Sequence, residues 1–116
     1  MAEANSGSAT IMFVMLRHTR DANGLKNLLP RHLEWMKGQE KRGNVFLSGP
    51  TEPEAGHPVN GITVIRAGSR EGADAIARED PAIQAGVVGY TLHTWSVNEG
   101  RIALTLDLSD RSASLG

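Results

Sequence analysis

Two ionisable residues in this chain have the types and local settings that general acid–base chemistry requires. His32 lies early in a predicted amphipathic helix, and Asp80 lies in the segment Glu79-Asp80-Pro81, just after a second predicted helix. A carboxylate beside an imidazole fixes the tautomer and orientation of the ring, and imidazole titrates near neutral pH, where proton transfer is most useful. The two residues therefore form a candidate catalytic pair, provided that the fold brings them together.

Each of these residues also has an ordinary structural interpretation. His32 shares a helix face with Leu28 and Met36, so it can be a core histidine that bonds a backbone carbonyl. Asp80 can cap the turn that Pro81 begins, because aspartate accepts hydrogen bonds from nearby backbone N–H groups. Their combination favours the functional interpretation, since antiparallel helices on one side of a small sheet bring the end of the second near the start of the first.

Two further residues are candidate substrate contacts. Ser48 precedes Gly49-Pro50, which can shape a pocket rim, and its hydroxyl can donate a hydrogen bond to a substrate. Arg17 ends the first predicted strand and can bind a carboxylate or a phenolate. Strand ends before loops carry such residues routinely, so both can equally be solvated surface groups.

Neither a metal site nor a cofactor is predicted. His57 and His93 have no second histidine or carboxylate at metal-ligand spacing, and the sequence contains no glycine-rich phosphate loop followed by lysine and a helix. With no cysteine there is no disulfide, thiol nucleophile or thiolate metal site, which fits a cytoplasmic protein.

Size and charge exclude several classes of function. The 116 residues fit one domain, and 12 basic against 13 acidic residues give a net charge of -1, so nothing in the composition favours nucleic acid or an anionic membrane as a partner. No apolar run approaches the length of a membrane span. We expect a disordered N-terminal lead over 1–10 that is not a signal peptide, one domain over 11–108 and a flexible tail over 109–116.

The hydrophobic pattern predicts the order β-α-β-β-α-β-β. The predicted strands are 11–16, 45–48, 61–67, 88–97 and 102–108, and the predicted helices are about 28–42 and 69–78. The first six elements match the ferredoxin-like α+β arrangement, an antiparallel sheet with both helices on one face. The last strand is an addition at the C-terminus.

The first strand predicts a homodimer. It is apolar at every position from Ile11 to Leu16, yet two helices cover only one face of a sheet, so the other face needs shelter. A second copy of the sheet is the simplest cover, and the fifth strand is expected to pair with the partner's edge.

Several short motifs, in this order and spacing, resemble the YCII-related family. They are Phe13-Val14-Met15-Leu16-Arg17, Pro30-Arg31-His32-Leu33-Glu34-Trp35-Met36, Val45-Phe46-Leu47-Ser48-Gly49-Pro50, Glu79-Asp80-Pro81 and His93-Thr94-Trp95. The resemblance implies a dimeric ferredoxin-like α+β barrel, with His32 and Asp80 as the catalytic pair.

The resemblance further implies lyase, dehydrochlorinase or isomerase chemistry on ring-cleavage products or hydroxylated aromatic compounds. We therefore expect a cofactor-independent enzyme of small-molecule catabolism, in which His32 removes a proton while Asp80 orients and stabilises the imidazole. Two alternatives stay open: a non-catalytic dimer that binds a metabolite, and a cofactor-free or haem-dependent monooxygenase, since the same architecture hosts oxygen chemistry.

Overall fold

The chain folds into two units, which we describe in a computed structural model that covers residues 10–52 and 54–115. The larger unit comprises residues 11–96, and the described part of the smaller one comprises Thr10 and residues 97–115. The elements in chain order are β1 (Thr10–Thr19), α1 (Ala22–Lys41), β2 (Val45–Pro50), β3 (Gly61–Ile65), α2 (Arg70–Ala77), α3 (Pro81–Gln84), β4 (Val88–Val97), β5 (Leu104–Asp107) and β6 (Ser112–Leu115).

The main sheet has the strand order β2-β3-β1-β4. The central pair β1 and β3 is antiparallel, with Phe13 opposite Ile65 and Arg17 opposite Gly61, and β2 adds to the far side of β3, also antiparallel. This order, with the first and third strands in the centre, is that of a ferredoxin-like sheet. The predicted α+β fold is therefore confirmed.

The core lies between one face of this sheet and helix α2. Side chains alternate along a strand, so Phe13 and Met15 of β1 share a face with Ile65 of β3, and all three are buried against Ala73 and Ala77 of α2. The two alanines have side chains short enough for the helix to lie close to the sheet. Arg17 and Thr63 lie on the same face by the same alternation, and this places them beneath the helices.

Strand β2 contains an irregularity at Phe46 that changes its register with β3. Val45 lies opposite Ile65 and Leu47 opposite Val64, so Phe46 is an extra residue in β2. The Arg66 guanidinium packs over the Phe46 ring, 4.6 Å from its centroid. Beyond the bulge, Ser48 lies opposite Thr63 and therefore on the helix-covered face.

Helix α1 begins six residues earlier than predicted, at Ala22 instead of Leu28. Asp21 caps it by accepting a hydrogen bond from the backbone N–H of Gly24, and a Cβ at Gly24 would lie 2.6 Å from Val87 Cγ1. Close packing thus requires the glycine, whose low helix propensity suggested a loop. Pro30 consequently lies inside the helix rather than in its first turn.

A short helix that the sequence analysis did not predict follows α2. Ser69 caps α2, close to the predicted start, and Asp80 caps α3 by accepting from the backbone N–H of Ala82. Pro81 occupies the first turn of α3, where its missing N–H costs nothing. The predicted capping role of Asp80 is therefore present in the structure.

The smaller unit contains a hairpin at the C-terminal end. Strand β5 covers Leu104–Asp107, shorter than the predicted 102–108, and pairs antiparallel with β6, Ser112–Leu115, where a flexible tail over 109–116 was expected. The turn is held by Asp110, which accepts from the backbone N–H of Ser112, and by Arg111 in the left-handed region at a φ of 57°. The predicted N-terminal lead lies, apart from Thr10, outside the described residues.

Within the ranges that the structure covers, no helix combines the length and the apolar character needed to cross a membrane.

Candidate active site

The structure brings His32 of α1 and Asp80 together, although they are 48 residues apart in the chain. The Nδ1 atom of His32 lies 2.9 Å from Oδ1 and 3.0 Å from Oδ2 of Asp80. Because α1 starts at Ala22, His32 lies in the middle of the helix and not early in it, as predicted. The contact therefore joins the middle of α1 to the segment between α2 and α3.

Asp80 is fully buried and receives hydrogen bonds from three directions. Besides His32, the Arg17 guanidinium donates to Oδ2 at 2.8 Å and the backbone N–H of Ala82 donates to Oδ1 at 2.9 Å. Burial alone would raise the pKa of Asp80, but the hydrogen bonds from His32 and Ala82 and the charge of Arg17 outweigh it and lower that pKa below its ordinary value. Asp80 is therefore an ionised carboxylate at neutral pH.

The ionised carboxylate determines which nitrogen of His32 carries the proton. A carboxylate only accepts hydrogen bonds, so Nδ1 of His32 must carry its proton and donate it to Asp80. In the neutral ring this leaves the lone pair on Nε2. A base at Nε2 is the arrangement that general-base chemistry requires.

Arg17 is buried within the fold, and not a solvated group at the end of a strand. Its side chain is 10% exposed, and besides the bond to Asp80 its Nε donates to Oγ1 of Thr63 at 3.1 Å. The charge of Arg17 is thus already paired with a carboxylate inside the protein.

Ser48 and Thr63 extend this network across the sheet. The two hydroxyl oxygens are 2.8 Å apart, so a continuous chain of hydrogen bonds runs from Ser48 through Thr63 and Arg17 to Asp80 and His32. Thr63 is not among the residues predicted from the sequence. A polar residue in the apolar strand Gly61-Ile62-Thr63-Val64-Ile65, at a position facing the core, was the signal that could have found it.

His32, Ser48 and Arg17 all line one cavity, between α1 and the strands β1, β2 and β3. Its volume is about 760 Å³, which is in the range of small-molecule sites. The lining is predominantly apolar, with Leu25, Leu29, Leu33, Met36, Val45, Phe46, Leu47, Pro50 and Val88 among its members. An apolar cavity with a few polar groups suits a largely apolar ring that carries oxygen substituents.

The ring of His32 also contacts an aromatic neighbour on its own helix. Trp35 stacks on it, with ring centroids 6.5 Å apart and an angle of 30° between the planes. His32 therefore has one polar partner, Asp80, and one aromatic neighbour on its own helix.

The other histidines take no part in this site. In the part of the chain that the structure describes, no three His, Asp or Glu side chains cluster where they could hold a metal ion. His57 accepts a hydrogen bond from the backbone N–H of Val59 in the β2–β3 connection, and His93 of β4 contacts the hydroxyl of Thr91.

Comparison with known proteins identifies both a family and a fold. The sequence model of the YCII-related domain matches residues 11–96. No curated protein sequence gives a significant match. Among solved structures, the chain is similar to the 5-chloro-2-hydroxyhydroquinone dehydrochlorinase of Burkholderia phenoliruptrix in complex with 2,5-dihydroxybenzoquinone. The TM-score is 0.59 and the sequence identity is 17%, and the match covers 73% of this chain and 93% of that one. At this identity the likeness concerns the fold.

Proposed function

Because this chain belongs to the YCII-related family, we propose that it is a catabolic enzyme that uses His32 as a general base and Asp80 to orient it. The observation that carries the proposal is the position of His32. His32 lines the cavity while its Nδ1 atom is bonded to a buried, ionised carboxylate. That arrangement leaves Nε2 as the basic atom available to a ligand.

The proposed reaction is an elimination or an isomerisation. An O–H bond or an acidic C–H bond of the substrate breaks, an N–H bond forms at Nε2 of His32, and the electron pair stays on the substrate. In a conjugated substrate that pair can expel chloride as Cl⁻ while the proton stays on His32, or it can take the proton back from Nε2 at another atom, which completes an isomerisation. Asp80 stabilises the imidazolium that results. A positioned base of this kind raises the reaction rate by about 10²–10⁴-fold, which is enough for an activated substrate.

The substrate class that we propose is a hydroxylated or chlorinated aromatic-derived metabolite. The apolar lining and the few polar groups of the cavity support it, as does the shared fold of a dehydrochlorinase bound to 2,5-dihydroxybenzoquinone. Ser48 and Arg17 are the proposed substrate contacts. For Arg17 the pairing with Asp80 favours contact with a substrate oxygen over capture of a separate anion. The absence of cysteine is consistent with a cytoplasmic enzyme.

A substrate panel tests this proposal. The wild-type protein is incubated with hydroxyquinols, chlorinated hydroxyquinols and muconolactones, while ultraviolet spectra and chloride release are followed. We expect turnover of at least one quinol, with chloride released in equal amount to each chlorinated quinol consumed. The same incubation without protein gives the spontaneous rate to be subtracted.

Other outcomes of the panel favour the alternative functions. A compound that raises the unfolding temperature but stays chemically unchanged would contradict catalysis and favour a metabolite-binding dimer. Oxygen consumption during turnover, or a Soret band in the purified protein, would instead favour a monooxygenase of the same architecture.

We also propose that the protein is a homodimer whose sheets face each other. On the sheet face opposite the helices, Ile62 and Trp95 are more than a third exposed, beside the half-buried Val14 and Leu16. Exposed apolar side chains on an uncovered sheet face indicate an interaction surface, and a second copy supplies a self-complementary cover for it.

Light scattering coupled to size exclusion tests the homodimer. We expect the wild type to have twice the mass of one chain, and Ile62→Lys to be a monomer, since a charge in the centre of an apolar interface is costly. Ala75→Lys, on the exposed surface of α2, is the matched control and should stay dimeric. A monomeric wild type at micromolar concentration would contradict the proposal.

A further inference from the structure

The hydroxyl group of Thr63 occupies a position from which it can act only through its neighbours. Thr63 is fully buried in β3 and is not among the residues that line the cavity. Its Oγ1 accepts a hydrogen bond from Nε of Arg17 at 3.1 Å and lies 2.8 Å from Oγ of Ser48, which does line the cavity. Thr63 thus connects a buried cation to a hydroxyl at the cavity wall.

The direction of the hydrogen bond between the two hydroxyls follows from donor and acceptor counting. Arg17 has donors only, so Thr63 is the acceptor in that bond. If Ser48 also donated to Thr63, the proton of Thr63 would be buried without an acceptor, since Arg17 and Ser48 are the partners of this hydroxyl among the described residues. A buried donor without an acceptor is costly, so Thr63 must donate to Ser48.

This direction leaves the proton of Ser48 free. With its oxygen accepting from Thr63, the Ser48 hydroxyl can turn its own O–H towards the cavity as a donor. The chain starts at a guanidinium, and hydrogen bonds in series polarise one another, which makes the terminal O–H a stronger donor. Such a donor is suited to an oxygen that carries negative charge.

We propose that Thr63 is a positioning residue that holds Ser48 as a hydrogen-bond donor to the negatively charged oxygen of a phenolate-type ligand. This inference rests on the proposed function, in which His32 takes the proton. The O–H bond of the ligand breaks, an N–H bond forms at Nε2 of His32, and the electron pair stays on the conjugated ligand. Ser48 then stabilises that charge, while Asp80 stabilises the imidazolium.

The ionisation of a bound phenol tests the inference without any turnover. The probe is 4-nitrophenol, whose anion absorbs visible light, and its apparent pKa is measured when bound to each variant by titrating absorbance against pH. We expect the wild type to lower the pKa of the bound probe below that of the free phenol. Thr63→Val and Ser48→Ala should each raise it by about 1 pKa unit relative to wild type, the equivalent of one hydrogen bond to a charged group.

Three further variants separate positioning from a merely structural role. Thr63→Ser restores the hydroxyl and should restore the wild-type value, whereas the double variant with Thr63→Val and Ser48→Ala should resemble either single variant, because the two residues act in one chain. Thr51→Val removes a hydroxyl that bonds the Val59 carbonyl outside the cavity lining, and should leave the probe unaffected. Urea unfolding of each variant shows that it is folded.

The outcomes distinguish this inference from the function on which it rests. If Thr63→Val lowers stability but leaves the pKa of the bound probe unchanged, or if the effects of the two single variants add, Thr63 has no positioning role. If His32→Ala raises the pKa of the bound probe while Thr63→Val does not, the proposed base is supported and this inference alone fails. A wild-type protein that neither binds the probe nor lowers its pKa would overturn both.

Discussion

Replacing His32 with alanine is expected to lower kcat by roughly 10²–10⁴-fold, the usual contribution of a positioned general base. The substitution removes the proposed base and leaves Asp80 bonded to Arg17 and to the backbone N–H of Ala82, so the carboxylate keeps partners and the fold should persist. The measurement is steady-state turnover, by wild type and variant, of a panel compound that the wild type converts.

His57→Ala is the matched control for the His32 variant. His57 is exposed in the β2–β3 connection and lies outside the cavity lining, so its loss should leave kcat within about a factor of two of wild type, in keeping with the small effects of most surface substitutions. A folded His32→Ala protein that retains full activity would exclude His32 as the base. Thermal unfolding of both variants verifies that each is folded.

Asp80→Asn is expected to cause the largest loss of stability of any single substitution at the site, about 3–5 kcal/mol in the free energy of unfolding. The variant keeps the shape of the side chain but leaves the buried Arg17 without its countercharge. It also places an amide where Ala82 and His32 need an acceptor. Activity should also fall, since the imidazole of His32 loses the group that fixes its tautomer. Urea unfolding at neutral pH gives the loss directly.

The stability that Asp80 contributes should depend on pH in a defined direction. Its pKa in the folded protein is lowered by its hydrogen bonds and by Arg17 despite the opposing effect of burial, and the unfolded value is about 3.9. The contribution is therefore fully present above about pH 5 and is lost as the pH falls below 4 through the folded pKa. The difference in the free energy of unfolding between wild type and Asp80→Asn should therefore shrink as the pH falls.

A series of urea unfolding curves between neutral and acidic pH measures that difference. Glu34→Gln, at an exposed position on α1, is the control, and its effect should stay within about 0.5 kcal/mol. A difference between wild type and Asp80→Asn that is equally large at every pH would show that charge on Asp80 does not stabilise the fold.

Much of the fold could be predicted because its signals are local. The apolar run of β1 and the cap at Ser69 each mark an element, and the order of the elements is compatible with few sheet topologies. The resemblance of the sequence to the YCII-related family is confirmed. His32 and Asp80 could be singled out because each is a polar group in a setting that demands a partner. Their contact depends on the packing of α1 beside α3, which no local pattern encodes.

The features that escaped prediction depend on tertiary packing. Gly24 suggested a loop by propensity, yet the space between it and Val87 admits only a glycine, so α1 extends through it. Pro30 suggested a first turn, yet it lies within the helix at an exposed position. Thr63 is an ordinary strand residue by composition. Its importance arises from Arg17, which reaches it from the neighbouring strand.

The extra residue at Phe46 shifts the pairing of every later residue of β2 by one position, and so determines which side chains of β2 face the helices. In a regular ladder that paired Phe46 with Val64, the residue opposite Thr63 would be Leu47, and Ser48 would lie on the other face of the sheet, opposite Ile62. A relative that carries the same local sequence but no bulge would turn the hydroxyl away from Thr63, whereas a relative without a residue at Phe46 would keep the hydroxyl there. Whether a family member offers a hydroxyl at this position therefore depends on how its second strand pairs with the third as much as on the residue that it encodes there.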